Sequence, residues 1–510
     1  MTTWSSARTP RGAGALSGLL AGGAGVLAGE GLARLLGATG PVVAVGNRAV
    51  DLTPRPVKEW AIQTFGSADK LVLLAGVLLT VLLAICALGW VGARRRGVGL
   101  VGMSVLVGLA GAAMLVDPAR GGGITVVLLP VAAMVLVGVG GLGWLLGALG
   151  ARTRLRARGD LDRRRFLLAA SSIAAVGAAG GVTRGLAGGT TAPSTVSLPL
   201  PADPAASVPA RVSFQVPGLT PHITANSDFY RVDTALQVPG VTPRDYVLRI
   251  TGLVDRPLEL TYQDLLDRDL VERRITLTCV SNEVGGDLLG NATWLGVHTR
   301  DLLAEAGVQA GADAVRSRSV DGFTAGTPLD VLTDDRDALI AIGMNGQPLP
   351  PEHGFPVRMV TPGLYGYVSA TKWLTELEVT RFEDFSAYWT DRGYAEKAPI
   401  KLSSRIDVPG SFARLDAGPV TVAGVAWAQT VGIERVQVRA GEDAWQDAEL
   451  GAEDSDQTWR AWRWEWEADA GTHRLEVRAT DRTGRIQTSR REPIAPDGST
   501  GWHSVTVTVA

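Results

Sequence analysis

Cys279 is the residue with the richest chemistry in this sequence. It stands in Thr276-Leu-Thr-Cys279-Val-Ser-Asn-Glu-Val-Gly-Gly-Asp-Leu-Leu-Gly-Asn-Ala-Thr-Trp294-Leu-Gly-Val, where a strand-like run opens into a polar, glycine-rich loop. Catalytic groups are often presented from such loops. A thiolate there serves as a nucleophile, a redox thiol or a soft metal ligand. The chain has 2 cysteines in all, and Cys86 lies in an apolar run where it reads as a small buried hydrophobe. A thiol redox pair in the Cys279 domain is therefore excluded. Zinc would need further Cys or His at short spacing, and the next histidine, His298, lies beyond the loop. A cysteine hydrolase with His298 or His353 as base, and a plain buried structural cysteine, stay open as alternatives.

The elements that must position this cysteine belong to a soluble-looking half that follows an apolar one. A net charge of −2 over 510 residues gives no reason to expect a nucleic-acid partner. Four apolar stretches, at 13–36, 71–92, 98–116 and 124–148, are long enough to span a bilayer as helices, which takes about 20 residues. The first carries Glu30, Arg34 and many glycines. A fifth, at 166–182, follows the basic stretch 152–165. Arg94, Arg95 and Arg96 lie between the second and third spans; Arg152, Arg154, Arg156, Arg158, Arg163, Arg164 and Arg165 lie between the fourth and fifth. With both loops cytoplasmic, the N-terminus is inside and everything after the fifth span is outside. Asp162-Arg163-Arg164-Arg165-Phe166-Leu167-Leu168 also resembles a twin-arginine export signal, read by a translocase that moves folded proteins; the plainer reading is a positive flank before a helix. No histidine precedes His222, so the spans lack paired haem ligands.

The expected order is thus a multi-domain chain: a four-span transmembrane region at 1–150, a basic segment plus fifth span at 151–183, and a linker rich in Gly, Ala, Pro, Ser and Thr at 184–211. An α+β domain at 212–398 interleaves short strands and helices. From 399 to 510 the texture is strands alone, with runs such as Val420-Thr-Val-Ala-Gly-Val-Ala-Trp427 alternating at period two, as in a β-sandwich. Trp462, Trp464 and Trp466 alternate with charged residues on one strand, a pattern that reads as packing.

The cysteine stretch, with its loop, Trp-x-Gly-Val segment and following helix, resembles the cofactor domain of the sulfite oxidase family of molybdopterin enzymes. Three further blocks carry the same resemblance. These are Asn226-Ser-Asp-Phe229-Tyr230-Arg231, then Asn345-Gly-Gln-Pro-Leu-Pro-Pro-Glu-His353-Gly-Phe-Pro-Val-Arg358, and Pro362-Gly-Leu-Tyr-Gly-Tyr-Val-Ser369-Ala370-Thr-Lys372-Trp. The strand-rich tail is similar to that family's immunoglobulin-like dimerisation domain. The resemblance implies a molybdenum–pterin cofactor with Cys279 as the protein's metal ligand. It also implies a cradle of Asn226, Phe229, Tyr230, Ser319, His353, Arg358, Ser369, Ala370 and Lys372, the cations holding the phosphate. Arg231 is the candidate for steering an anionic substrate such as sulfite. The implied reaction is oxygen-atom or two-electron transfer, with sulfoxide-type reduction as the alternative. Electrons pass to an external carrier with no haem in this chain, and the β domain suits a homodimer. A non-catalytic envelope module is the rival of another class.

Overall fold

The computed structural model describes residues 11–54, 57, 69–117, 123–154 and 196–510. The twin-arginine-like segment, the fifth apolar run and the first part of the linker lie outside them. The chain divides into two compact units, one of residues 1–190 with 235–240 and the other of 191–234 with 241–510.

The described part of the first unit is helical: α1 (Arg11–Leu35), α2 (Pro41–Leu52), α3 (Asp69–Gly92), α4 (Arg96–Val116), α5 (Thr125–Met134) and α6 (Gly141–Arg154), the last two joined through a π-helical stretch Val135–Gly140. Among the described residues, four helices are long and apolar enough to cross a membrane: Gly12–Leu35, Val72–Gly92, Arg96–Val116 and Thr125–Leu149. These bounds fall within a few residues of those read from the sequence. The glycines of α1 have a packing reason. A Cβ on Gly89 would lie 2.3 Å from the Gly14 carbonyl oxygen and 2.5 Å from the Gly18 nitrogen. Gly14-Ala-Leu-Ser-Gly18 is therefore a small-xxx-small stripe that lets α1 and α3 backbones touch. Helix α2 was not anticipated. Pro41 opens it, and the Glu30 carboxylate of α1 accepts from the Val42 amide at 2.7 Å, satisfying an orphan N-terminal donor from a neighbouring helix.

The second unit begins with two sheets sharing one core. Strands β1 (Val247–Gly252), β2 (Leu258–Thr261), β3 (Val271–Thr278), β4 (Leu289–His298), β5 (Ala314–Ser319), β6 (Thr324–Pro328), β7 (Leu339–Met344), β8 (Gln347–Pro348), β9 (Arg358–Val360) and β10 (Leu374–Thr380) alternate with short helices α7 (Tyr262–Leu266), α8 (Thr299–Ala306), α9 (Leu329–Thr333) and α10 (Gly366–Ser369). One sheet has the order β2-β1-β10-β5-β6; the other runs β3-β4-β7-β8, with β9 paired to β7. This is the expected α+β texture. Strand β4 is buried on both faces: Leu295 and Val297 join the core with Leu248, Leu302 and Ile340, while Ala292 and Trp294 face Ile275, Leu277 and Phe229. Every residue of β4 is buried except Thr293.

The tail is a two-sheet β-sandwich of β11 (Ser403–Val408), β12 (Arg414–Leu415), β13 (Gly418–Trp427), β14 (Ile433–Ala440), β15 (Gln446–Asp447), β16 (Glu449–Leu450), β17 (Arg460–Ala468), β18 (Gly471–Asp481) and β19 (His503–Val509). The orders are β11-β13-β17-β16 and β12-β19-β18-β14-β15. Trp462, Trp464 and Trp466 are buried in its core with Val436, Val477 and Val507, so the alternating tryptophans are packing residues.

Candidate molybdopterin site

Strand β3 delivers Cys279 at its end. The Cys279 amide donates to the Leu288 carbonyl at 2.9 Å, and the Asn282 side-chain oxygen accepts from the Leu288 amide at 2.9 Å. The loop 280–288 is thereby pinned at both ends. The sandwich grips its outer side. Arg405 donates to the Gly286 carbonyl (2.7 Å), Ser499 to the Asn282 carbonyl (2.7 Å), and Gly285 lies under the His503 ring, where a Cβ would meet it at 2.2 Å. Further back along β3, Gln429 donates to the Thr276 carbonyl and the Trp459 amide to the Thr276 hydroxyl.

Cys279 lines a cavity that opens to solvent on one side. Phe229, Tyr230, Ser319, His353, Arg358, Ala370 and Lys372 line the same cavity, so residues spread over the four sequence blocks converge there. Phe229 stacks on Tyr230 (5.3 Å) and meets Trp294 and His353 edge-on (5.7 and 5.5 Å). This packing needs Gly290, since a Cβ there would come within 2.6 Å of the Phe229 ring. His353 donates through Nε2 to the Asn226 carbonyl at 2.9 Å, and burial holds its pKa down at about 4, so it is neutral at pH 7.

Arg358 is the electrostatic feature of the site. It is 5 % exposed, and its guanidinium donates only to the carbonyls of His353 (3.0 Å), Ala370 (3.3 Å) and Met359 (3.3 Å) while lying over the Trp294 ring at 5.0 Å. Among the described residues no carboxylate pairs with it. Burial pulls its pKa down to about 10. Lys372 lies nearby, its Nζ 2.8 Å from Asp233 and 3.2 Å from the Glu352 carbonyl. Burial lowers its pKa to about 8 against the pull of Asp233. Gly354, at φ +110°, makes room for both cations: a Cβ there would sit 3.1 Å from the Cβ atoms of Arg358 and Lys372. A buried guanidinium without a counter-ion is costly unless an anion joins it.

The Cys279 thiol is pushed up by burial, with the Ser281 amide (3.4 Å from Sγ) and Lys372 acting the other way. Among the described residues no three His, Cys, Asp or Glu side chains are grouped to hold a metal unaided. A metal at Cys279 must therefore bring its remaining ligands with it. A dithiolene with a phosphate tail fits this donor set: soft sulfur ligation beside one thiol, and anionic charge beside Arg358 and Lys372.

Three expected residues do not line the cavity. Asn226 and Asn345 bond each other (2.8 Å), and Asn345 also bonds the Thr293 amide and the Thr224 carbonyl. The pair braces the segment carrying Phe229 and Tyr230. Ser369 is fully buried and donates to the carbonyls of Leu364 and Tyr365, 3.0 Å each. Arg231 is paired with Asp233 at 2.8 Å, its side chain 40 % exposed. Of the two histidines offered as hydrolase bases, His298 lies 3.8 Å from Asp337 outside the cavity, and His353 has Nε2 engaged by a carbonyl. Sequence reasoning missed Asp233, Asp321, Phe323, Tyr367, Trp389 and Tyr394 on the wall. The cluster of aromatics at 382–394 signalled Trp389 and Tyr394, and Tyr367 stands inside the block 362–373.

The model of the oxidoreductase molybdopterin binding domain matches residues 235–389. Chicken (Gallus gallus) sulfite oxidase is 30 % identical over 338 residues, 55 % of this chain and 72 % of that protein. The chain belongs to the sulfite oxidase family. Mouse (Mus musculus) mitochondrial sulfite oxidase is 31 % identical over 340 residues, 56 % of this chain and 62 % of that protein; the chain thus spans about three-fifths of the mammalian mitochondrial relatives it matches. The sulfane dehydrogenase SoxCD of Paracoccus pantotrophus superposes with a TM-score of 0.51 at 24 % identity, covering 57 % of this chain and 82 % of that one, a likeness of fold. In sulfite-oxidase terms, the cavity at Cys279 lies at the molybdopterin-binding domain.

Proposed function

We propose that this chain is a membrane-anchored, molybdopterin-dependent oxidoreductase that carries out oxygen-atom or two-electron transfer on a small sulfur substrate outside the cytoplasmic membrane. The observation that carries the cofactor assignment is the buried Arg358 guanidinium, without a carboxylate partner among the described residues, on the wall of the cavity that Cys279 faces. The sulfur substrate is supported by relatives named for sulfite and sulfane.

Cys279 would supply the thiolate to the metal. Arg358 and Lys372 would hold the phosphate, and neutral His353, Ser319 and Ala370 would edge the pterin, with Phe229 and Tyr230 walling it. Bound there, the molybdenum group supplies the two-electron redox chemistry. The protein's own work is to orient that group and exclude water with the Phe229 and Tyr230 rings. His353 stays neutral, and with its Nε2–H given to the Asn226 carbonyl its Nδ1 is left as an acceptor that adds no charge. The four apolar helices support anchoring, and the arginine-rich loop at 94–96 together with the fifth apolar run expected at 166–182 supports a site outside. Electrons would pass to an external carrier, and the sandwich, read as the family's immunoglobulin-like dimerisation module, would pair two copies.

Pterin content after denaturation tests the cradle. Arg358→Met removes the buried charge but keeps the bulk, and is expected to lower pterin recovered per folded chain by tenfold or more, taking a charge-assisted contact as worth about 1.5–3 kcal/mol. Undiminished pterin in the variant would remove Arg358 from the site.

A further inference from the structure

The charges on the cavity wall do not suit an anionic substrate. Its cations are Arg358 and Lys372, and both are committed to the cofactor on the reading above. Arg231, the cation expected to steer an anion, is off the wall and paired with Asp233. Asp233 is itself neutralised by Lys372 and Arg231. Asp321 is different. Its carboxylate accepts from the Phe323 amide and the Thr234 hydroxyl, each at 3.1 Å. Both donors are neutral, and among the described residues no cation pairs with it.

The β5–β6 hairpin holds this carboxylate in place. Gly322 turns at φ +84°, and the Ser319 amide closes on the Phe323 carbonyl at 2.9 Å. The same hairpin puts Phe323 on the wall, and Tyr367, Trp389 and Tyr394 complete an aromatic surface. Tyr394 packs edge-on against Trp389 (5.2 Å) and Tyr367 (5.6 Å). A small oxyanion would meet an uncompensated carboxylate in partly desolvated surroundings. An uncharged molecule with an apolar body would gain contact with the rings.

We propose that the cavity selects an uncharged, apolar-substituted sulfur compound, of the organic sulfoxide or thioether class, over an inorganic oxyanion, with Asp321 repelling anions and Phe323 contacting the apolar body. The inference rests on the cofactor assignment, which leaves Arg358 and Lys372 unavailable to substrate.

Binding of two redox-inert probes to the molybdenum-loaded whole chain in detergent separates the classes whichever direction the reaction runs. The probes are sulfate, a dianion, and methyl phenyl sulfone, an uncharged compound with the same tetrahedral sulfur; calorimetric titration gives both dissociation constants. The sulfone is expected to bind at least about tenfold more tightly than sulfate. Asp321→Asn, which keeps an acceptor for the Phe323 amide, is expected to tighten sulfate by roughly 3–10-fold and leave the sulfone within about twofold. Phe323→Ala is expected to weaken the sulfone by roughly fivefold and leave sulfate unchanged. Tighter binding of sulfate than sulfone, sulfate affinity indifferent to Asp321→Asn, or no sulfone binding at millimolar concentration would each overturn the proposal. Molybdenum content measured on the same samples distinguishes the two levels: absent metal sinks the cofactor assignment, whereas full metal with sulfate preferred sinks the substrate class alone.

Discussion

On the proposed reading, Arg358 and Cys279 would divide the work of the cavity by charge and softness. The cation's hydrogen bonds all go to carbonyls, which orient it without neutralising it, so its charge is available to a ligand. His353 has a different part. Its Nε2–H to the Asn226 carbonyl ties the turn before β9 to the segment that carries Phe229 and Tyr230. His353→Gln offers a replacement donor, whereas His353→Ala leaves that carbonyl unpaired at a cost of about 1–3 kcal/mol. The expected outcome is a lower thermal midpoint in the Ala variant and a near-normal one in Gln; equal midpoints would show that the histidine braces nothing. The candidate residues at this scale were legible because the motif blocks name them. The burial of Ser369 and the exposure of Arg231 were not legible, since adjacent residues in a turn differ in direction only once the turn is folded.

At the scale of elements, the cysteine loop is shaped as much by the sandwich as by its own strand. Arg405, Ser499 and His503 come from far along the chain to hold residues 282–286, and no local pattern announces such contacts. Ser499→Ala removes one of these bonds, worth about 1 kcal/mol, and is expected to speed hydrogen exchange of the loop amides about fivefold. Unchanged exchange at Cys279 and Leu288 would mean that the loop stands without the sandwich. The apolar helices were legible from length and composition. Helix α2 was not, because its N-terminus is satisfied by Glu30 of another helix rather than by a capping residue beside it. The α1–α3 crossing makes a comparable statement. Gly89→Leu would drive a side chain into backbone atoms of α1, and the expected result is loss of folded protein, read as aggregation by size-exclusion chromatography.

At the scale of the whole molecule, protonation acts on the second unit at two distinct pH ranges. His353 and His503 are held near 4 by burial, against 6.5 for a free imidazole. The folded form binds fewer protons than the unfolded one between those values, so this stability is full above about pH 6.5 and is lost as pH falls toward 4. Asp454 is held at about 2, burial raising it but hydrogen bonds from His222 and Arg274 outweighing that. Its contribution is present above about pH 4 and fades as pH falls to 2. The thermal midpoint of the wild type is expected to drop between pH 6.5 and 4, and less steeply in His503→Gln; parallel slopes would exclude His503 as a cause. The order of apolar helices, α+β domain and β-sandwich followed from hydropathy and period, whereas the charge balance of the cavity depends on side chains from several elements meeting and had no sequence signature.

Molybdenum content per chain, by elemental mass spectrometry on the 510-residue chain from a cofactor-competent host, bears most directly on the assignment of Cys279. Close to one metal per chain in the wild type, and its loss in Cys279→Ser with folding intact, is the expected result. Well-folded wild-type protein without molybdenum, or a Cys279→Ser variant that retains it unchanged, would contradict the assignment.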